Sequence, residues 1–402
     1  MTARRVRYAR VSRRQFLGRA GMFAGAVALG PGVLAACGGD DDDGTSSGGT
    51  GSGGTGGGGG GGADKLVISN WPLYIDPTEG DTLGTVDLFT EETGIDLTYT
   101  EDYNDNNEFF AKIQPDLAAG TPIAQDIIVP TFWLVARLID LGWVEPLPLD
   151  QIPNAANLVP SLQKPSWDPD GEFSLPWQSG ITGIAYNREA AGRELTSVGD
   201  LLDPEYKGKI GLLSEMRDTV GLFMLYTGED PSTATFESAQ PAFDVIDKAV
   251  QDEQIRQFTG NDYQTPLSNG DFVACVGWSG DVAQLALEDP NLEFIIPEEG
   301  GMRWSDCMVV PTGAANVAAA AEWMDYVYNP VTAARIAAYV GYISPVSGVQ
   351  EELAKNPDTA ALADSPLLFP DDATLENTFV FANLPDSEEA QFDEQFAEIS
   401  KS

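Results

Sequence analysis

Large aromatic residues recur beside carboxylates where the chain leaves predicted strands. The combinations are Trp71 with Tyr74, Trp133, Glu215 with Asp218, Trp278 with Asp281, Trp304 with Asp306, and Tyr342. The faces of Trp and Tyr rings attract cations by roughly 0.5 to 2 kcal/mol each. A desolvated carboxylate that bonds an ammonium group adds roughly 1.5 to 3 kcal/mol. A pocket built from this set would hold an elongated polycation. A place in the core explains any single Trp better, and only the placement of the whole set beside acids at strand ends favours a pocket.

Two kinds of segment alternate along the chain and would position these residues. Short apolar runs predict strands at residues 66–69, 95–99, 126–130, 184–187, 210–213, 272–278 and 308–311. Helical spacing of apolar residues predicts helices at 82–93, 108–119, 132–141, 220–226, 242–250, 282–287, 317–328 and 331–339, and residues 299–301 predict a turn. This order predicts an α/β fold with mostly parallel sheets covered by helices. Ligands bind beyond the carboxyl ends of strands in such sheets, where Trp71, Tyr74 and Trp133 stand.

Composition excludes several classes of function. The 402 residues include 22 basic and 62 acidic side chains, giving a formal net charge of −40, and no His. Nucleic acid is excluded as a partner because its binding needs a basic surface. The lack of His removes Ser-His-Asp and Cys-His catalysis and His-ligated metal sites, so we expect neither an enzyme nor a cofactor. A surface glycoside hydrolase that uses Glu215 and Asp218 as a carboxylate pair remains an open alternative.

The N-terminus has the layout of an export signal. Residues 1–36 contain seven Arg and no acid, and the apolar run at 22–36 is too short to span a membrane as a helix. The string RRQFL from Arg13 resembles a twin-arginine signal, and LAAC ending at Cys37 resembles the lipobox of lipoproteins. We predict a twin-arginine lipoprotein signal peptide at 1–36, a lipid on Cys37, and a disordered Asp/Gly-rich tether at 37–63. The protein would then be anchored at the outer face of the cytoplasmic membrane or in the periplasm.

Five sequence blocks resemble one family in order, over about residues 64–400. They are NWPLY from Asn70, DIIVPT from Asp126, VACVGWSGDVAQ from Val273, PEEGGMRWSD from Pro297, and Gly341-Tyr342. These blocks resemble the spermidine/putrescine-binding proteins, the solute receptors of bacterial polyamine ABC importers. The resemblance implies a type II periplasmic-binding-protein fold, with two mostly parallel sheets, chain crossovers and a ligand cleft. It also implies lobes at 64–180 plus 305–350 and at 181–304 plus 351–402, and a monomer that delivers a polyamine to a membrane ABC permease.

The resemblance further implies a set of ligand-binding positions. These are Trp71, Tyr74, Thr131, Trp133, Glu215, Asp218, Trp278, Trp304, Asp306 and Tyr342. In the family's pattern, Glu215 and Asp218 receive an amine, Trp278 stacks on the alkyl chain, and Trp304 and Asp306 lie at the centre of the cleft.

Two positions depart from the family's pattern. Leu73 stands where an acid is usual, and Phe381 stands where some spermidine receptors have Gln. Losing the acid leaves one end of a long polyamine without a counter-charge unless Asp76 or Asp102 substitutes. The cationic class of ligand is therefore better supported than any particular polyamine.

Other readings keep the same fold. The ligand could instead be another small cation, a sugar, an anion or iron. The protein could also act as a sensor that docks to a membrane receptor rather than to a permease. An anion would need basic residues in the cleft, and the segments that carry the aromatic–acid combinations offer Arg217 and Arg303. The sequence also leaves open whether Cys275 and Cys307 form a disulfide or remain buried thiols.

Overall fold

A computed structural model of the chain describes residues 4–5 and 65–401. The rest of the predicted signal peptide, the predicted lipidation site Cys37 and the predicted tether lie outside the described residues. The strands of the main body are β1 (Lys65–Asn70), β2 (Asp96–Glu101), β3 (Ile127–Ile128), β4 (Ser174–Asn187), β5 (Ile210–Leu213), β6 (Ile255–Thr259), β7 (Ala274–Trp278), β8 (Leu292–Ile296), β9 (Gly301–Val309) and β10 (Thr378–Phe379). The short strand Arg4–Arg5 pairs antiparallel with β8.

Helices connect and cover these strands. They are α1 (Thr85–Thr93), α2 (Asn106–Ala118), α3 (Phe132–Asp140), α4 (Arg188–Ala191), α5 (Met216–Thr227), α6 (Phe236–Gln251), α7 (Gln264–Ser268), α8 (Ser279–Glu288), α9 (Val317–Val327), α10 (Pro330–Val340), α11 (Val349–Lys355), α12 (Asp372–Glu376) and α13 (Asp386–Ser400). Short 3-10 helices lie at Leu149–Gln151, Pro153–Asn157, Pro160–Leu162, Val198–Leu202, Pro204–Tyr206, Pro231–Thr233, Asn261–Tyr263 and Ala360–Asp364. Among the described helices, none combines the length and the apolar composition needed to cross a membrane.

Two groups of parallel strands form the frame of the molecule. In the first strand group, β1 pairs in parallel with β2 and β3. In the second strand group, β5 pairs in parallel with β6 and β7. Helix α9 packs against β1, whereas α13 packs against α5 and α6. The strand–helix alternation expected of an α/β fold is therefore present in both groups.

Two long antiparallel strands join the groups. Strand β9 pairs with β3 at one end, and β4 pairs with β7 at the other, while β4 and β9 pair with each other from Ser174↔Val309 to Met302↔Thr182. The path β2-β1-β3-β9-β4-β7-β5-β6 is thus one hydrogen-bonded sheet. The two mostly parallel strand groups expected from the sequence are thus continuous, because the crossover strands β4 and β9 pair with each other between them.

The predicted elements all overlap elements of the same type, and capping explains the starts of two helices. Helix α2 begins two residues before the predicted start because the carboxylate of Asp105 accepts the N–H groups of Asn107 and Glu108. Helix α6 begins six residues early because Thr235 and Ser238 form a reciprocal capping box, and Pro241 is accommodated inside the helix. The predicted turn at 299–301 joins β8 to β9, and its last residue, Gly301, is the first residue of β9.

Candidate functional site

All ten residues predicted to bind a ligand line one cavity, which we call the site cavity. It holds about 530 Å³ of empty space, including the solvent at its mouth. Its lining also contains Pro72, Asn106, Phe132, Arg217, Asn261 and Asp281. The structure therefore gathers the ten predicted residues and adds six, of which Asp281 belongs to the aromatic–acid combinations but not to the predicted ligand-binding positions.

The ends of strands position most of the lining. Trp71 and Tyr74 follow β1, and Thr131 is the residue before α3, just after β3. Glu215 is the residue before α5, just after β5. These three strands are parallel within their groups, so the side chains that follow their carboxyl ends collect at the sheet edge where ligands bind in such folds.

Five aromatic rings form a continuous wall. The centroids of Trp71 and Trp278 lie 6.2 Å apart, those of Trp278 and Trp304 6.4 Å, those of Trp304 and Tyr342 5.4 Å, and those of Tyr342 and Tyr74 5.4 Å. In each of these four pairs the edge of one ring meets the face of the other. The wall therefore presents both ring faces and ring edges to the cavity. Such a wall can contact the methylenes of an alkyl chain and the positive charge of an amine.

Trp304 fits into this wall because β4 carries a glycine opposite it. A Cβ atom on Gly180 would lie 2.3 Å from Cζ2 of Trp304. Any larger residue at Gly180 would therefore push the indole out of its place. The indole Nε1 donates to Oγ1 of Thr182 at 3.1 Å, which fixes the direction of the ring.

Asp306 lies in β9 and is 4% exposed. Tyr74 donates its hydroxyl to Oδ2 at 2.8 Å, and Thr131 donates its hydroxyl to Oδ1 at 2.6 Å. Burial raises the pKa of Asp306 to about 7, and the nearby charges of Asp218 and Asp281 add to the increase. The carboxylate is thus oriented by two hydroxyl groups, and among the described residues no basic side chain forms an ion pair with it.

Asp218 orients the two Trp residues at the cavity centre. Its Oδ2 accepts from Nε1 of Trp278 at 2.8 Å, and its Oδ1 accepts from the hydroxyl of Thr182 at 2.8 Å. Thr182 in turn accepts from Trp304, so one carboxylate holds both indoles. Burial raises the pKa of Asp218 to about 6.

Glu215 meets the amino end of α2 across the cavity. Its Oε1 accepts from the backbone N–H of Asn106 at 2.9 Å and from Nδ2 of the same residue at 2.8 Å. Burial raises the pKa of Glu215 to about 8, and the neighbouring Asp105 adds to the increase.

Asp281 is the acid that the predicted site left out. It lies in the first turn of α8 and accepts hydrogen bonds from Tyr342 at 2.7 Å, Gln264 at 2.9 Å and Tyr263 at 3.1 Å. Burial raises the pKa of Asp281 to about 6. Its position three residues after Trp278 was the available signal, because the first turn of a helix that follows a strand faces the same sheet edge.

The charge balance of the cavity is negative. Four buried acids line it, and among the described residues of its lining Arg217 is the only cation. The guanidinium of Arg217 already pairs with Glu389 at 2.6 Å and lies 4.1 Å from the ring centroid of Trp133. One face of Trp133 is therefore covered by a cation of the protein itself.

This arrangement suits the capture of a cation. Several pKa values are raised mainly by burial, which means that each ionised acid is held at a cost that a bound ammonium group would offset. Among residues 65–401, no group of three or more His, Cys, Asp or Glu side chains is placed to hold a metal ion.

Leu73, which departs from the family's pattern, and the two acids that could replace the missing one are not part of the cavity lining. Leu73 has a φ of 58° and donates its N–H to Glu101 at 3.0 Å. Asp76 accepts from the hydroxyl and N–H of Thr85, at 2.6 and 3.1 Å. Asp102 pairs with Lys112. Neither acid substitutes for the missing one in this arrangement.

The remaining sequence questions concern apolar positions and thiols. Phe381 is buried and its ring lies 5.9 Å from that of Phe392, so it belongs to the core.

Cys275 and Cys307 are both buried free thiols, and no disulfide joins them.

Comparison with known proteins agrees with this geometry. Residues 84–368, more than half of the chain, match the family model of bacterial extracellular solute-binding proteins. The putrescine-binding periplasmic protein PotF of Escherichia coli K12 is 31% identical over 323 residues, which cover 74% of this chain and 84% of that protein. The spermidine/putrescine-binding periplasmic protein of the same organism is 25% identical over 313 residues, which cover 78% and 85%.

A solved structure shows the same fold. The spermidine/putrescine ABC transporter substrate-binding protein PotD from Streptococcus pneumoniae has a TM-score of 0.68 and 25% identity, with 84% of this chain and 99% of that chain covered. Strand groups joined by crossover strands around a cavity with an open mouth suit a receptor for a small solute. The chain belongs to the bacterial extracellular solute-binding proteins. It is therefore a substrate-binding protein of a transporter that acts outside the cytoplasm, and the resemblance and type II fold predicted from sequence are confirmed.

Proposed function

We propose that this protein captures a protonated polyamine, similar to putrescine or spermidine, between its two strand groups and delivers it to the permease of an ABC importer. One observation carries the proposal: four buried acids share an aromatic cavity whose single Arg is already paired. The relatives named for putrescine and spermidine support the same class of ligand.

The ligand would use both features of the cavity. Its methylenes would pack along the ring wall from Trp71 to Tyr74, and its ammonium groups would approach Asp306 and the other three acids. A charge-assisted hydrogen bond to a desolvated carboxylate contributes about 1.5 to 3 kcal/mol, so two such bonds and the buried alkyl chain bring the dissociation constant to about the micromolar range. The ten residues predicted from sequence, together with Asp281, are the ligand-contacting set of this proposal.

The two strand groups would be the cores of two lobes. We retain 64–180 plus 305–350 for one lobe and 181–304 plus 351–402 for the other. In this proposal β4 and β9 carry the chain between the lobes, and a monomer presents the closed form to the permease.

Export and anchoring complete the proposal. The twin-arginine signal at 1–36 would direct a folded protein across the membrane, and a lipid on Cys37 with the tether at 37–63 would hold it at the outer surface. The support is the sequence of the leader and the extracellular character of the family. Mass spectrometry of the membrane fraction tests the lipid: Cys37→Ala should abolish the acyl modification and release the protein, and an unmodified wild-type Cys37 would refute the anchor.

Calorimetry tests the ligand. The purified protein should bind at least one of putrescine, spermidine and spermine with a micromolar dissociation constant, whereas 1,4-butanediol, which has the length of putrescine but no charge, should not bind. Absence of heat with all three amines would refute the polyamine assignment. Native mass spectrometry of protein purified without refolding would then identify any retained cargo by its mass.

A further inference from the structure

Three consecutive residues at the start of α2 contact the second strand group directly. The carbonyl of Asn104 accepts the N–H of Asn261 at 3.0 Å. The carboxylate of Asp105 accepts the hydroxyl of Ser214 at 2.6 Å. Asn106 donates twice to Glu215, as described above. Residues 104–106 therefore form a polar contact between the first strand group and the loops after β5 and β6; we call it the 104–106 contact.

On its other side, Asn106 is connected through Thr131 to Asp306, the acid at the centre of the site cavity. Its Nδ2 donates to the hydroxyl of Thr131 at 2.8 Å, and its Oδ1 accepts the N–H of Thr131 at 3.1 Å. The hydroxyl of Thr131 donates to Asp306. A continuous chain of hydrogen bonds thus runs from Asp306 through Thr131 and Asn106 to Glu215.

We propose that Asn106 is a positioning residue that couples the state of Asp306 to closure of the two strand groups, with Glu215 as its acceptor on the opposite side. The inference rests on the proposed function for the identity of the ligand, but the geometry that carries it does not depend on that identity. Asn106 is 1% exposed and uses its N–H, both donor positions of Nδ2 and its Oδ1 in this network. No other residue type of similar size offers the same donors and acceptor.

The position of Asn106 strengthens its hold on Glu215. It is the first residue of the 13-residue helix α2, and Asp105 before it caps the helix. Free N–H groups and the partial positive charge at the start of a helix favour an ionised acceptor. Glu215 therefore has one oxygen committed to closing the protein, and that oxygen is not available to the ligand.

The backbones of Asn104 and Gly260 pack so closely at the 104–106 contact that a side chain would not fit between them. A Cβ atom on Gly260 would lie 2.3 Å from the carbonyl oxygen of Asn104. The two groups thus meet with backbone against backbone beside Asn106, which makes the N–H of Asn261 a direct reporter of whether they are together.

The test measures hydrogen–deuterium exchange in the peptide that contains Asn261, in ligand-free wild-type protein and in Asn106→Ala. We expect exchange of this amide to become about tenfold faster in Asn106→Ala, because a lost buried hydrogen-bond donor weakens the closed form. Asn107→Ala is the matched control, because Asn107 is the next residue of α2 and is exposed. In this variant the Asn261 amide should exchange at the wild-type rate. Should Asn106→Ala fail to fold, Glu215→Ala removes the same bond from the opposite side and should accelerate the same amide.

Calorimetry with putrescine gives the second readout. Asn106→Ala should bind about 10- to 100-fold more weakly than the wild type, and Asn107→Ala should bind equally well. Wild-type exchange of Asn261 in both Asn106→Ala and Glu215→Ala would overturn the inference, as would unchanged putrescine affinity in Asn106→Ala. If the wild type binds no polyamine, the proposed function fails, while the Asn261 amide still decides the role of Asn106.

Discussion

Replacing Asp306 with Asn removes one charge from the cavity and preserves the shape of the side chain. The carboxylate accepts hydroxyl groups from Tyr74 and Thr131, both of which can turn and accept from an amide nitrogen instead. The substitution is therefore a test of charge, with little change in packing.

The magnitude follows from the environment of Asp306. Burial raises its pKa from 3.8 to about 7. At 1.36 kcal/mol per pKa unit, this corresponds to a cost of roughly 4 kcal/mol for holding the ionised group in the ligand-free fold. A group with a raised folded-state pKa favours folding while it is protonated, so the cost grows as the pH rises from about 4 to about 7 and stays constant above.

Asn resembles the protonated acid, so Asp306→Asn should move stability and affinity in opposite directions. At pH 8 the ligand-free variant should melt a few degrees above the wild type, and at pH 4 the two should melt together. The dissociation constant for putrescine at pH 8 should rise about 10- to 150-fold, because an ammonium group loses a bond of about 1.5 to 3 kcal/mol.

Differential scanning calorimetry and titration calorimetry make the two measurements. Asp252→Asn serves as the control, because Asp252 is an exposed partner of Lys248 and its loss changes the net charge equally. Its affinity should match the wild type. Unchanged affinity in Asp306→Asn would show that Asp306 does not contact the ligand, and an equal loss in Asp252→Asn would assign the effect to overall charge.

The remaining predictions concern protons and closure. Glu215 and Asp306, with pKa values of about 8 and 7, are partly protonated at pH 7, so binding of a cation should release protons. Affinity should then rise from pH 5 to pH 8, and the binding enthalpy at pH 7 should differ between Tris and phosphate; equal enthalpies in the two buffers would contradict this. Gly260→Ala should weaken ligand binding at least tenfold, because its Cβ would strike the carbonyl oxygen of Asn104 where the strand groups meet. Wild-type affinity in Gly260→Ala would show that the groups need not meet this closely.

The sequence was sufficient for the elements and for most of the cavity lining. Strand and helix types follow from local apolar spacing, and the aromatic–acid combinations mark the ends of the parallel strands. The acid Asp281 was visible beside Trp278 but was not assigned to the site, since one sequence does not show which face of α8 turns inward. Its three hydrogen-bond donors come from residues before β7 and after α10, which only the fold brings together.

The long crossover strand could not be predicted in full. Only residues 184–187 of β4 were expected, because Pro176, Gly180 and Gly183 lower the strand propensity of the preceding residues. In the fold the same Gly180 makes room for Trp304, and β4 is buried between partners on both edges. Tertiary pairing therefore outweighs local preference at the point where the two strand groups are joined.

The contact between Asn106 and Glu215 lies beyond any local pattern, since 109 residues separate the partners. The role of this contact follows from the charges of the acids that line the cavity. Ionised acids that lack a cation oppose burial, so closing the strand groups over them is costly unless a positive ligand enters. A neutral molecule of the same length would leave that cost in place, whereas an ammonium group removes it and so adds to the stabilisation that the polar contact at Asn106 already gives the closed form. The negative charge of the cavity and the contact at residues 104–106 thus act together, so that the closed form is most stable when a cation is bound.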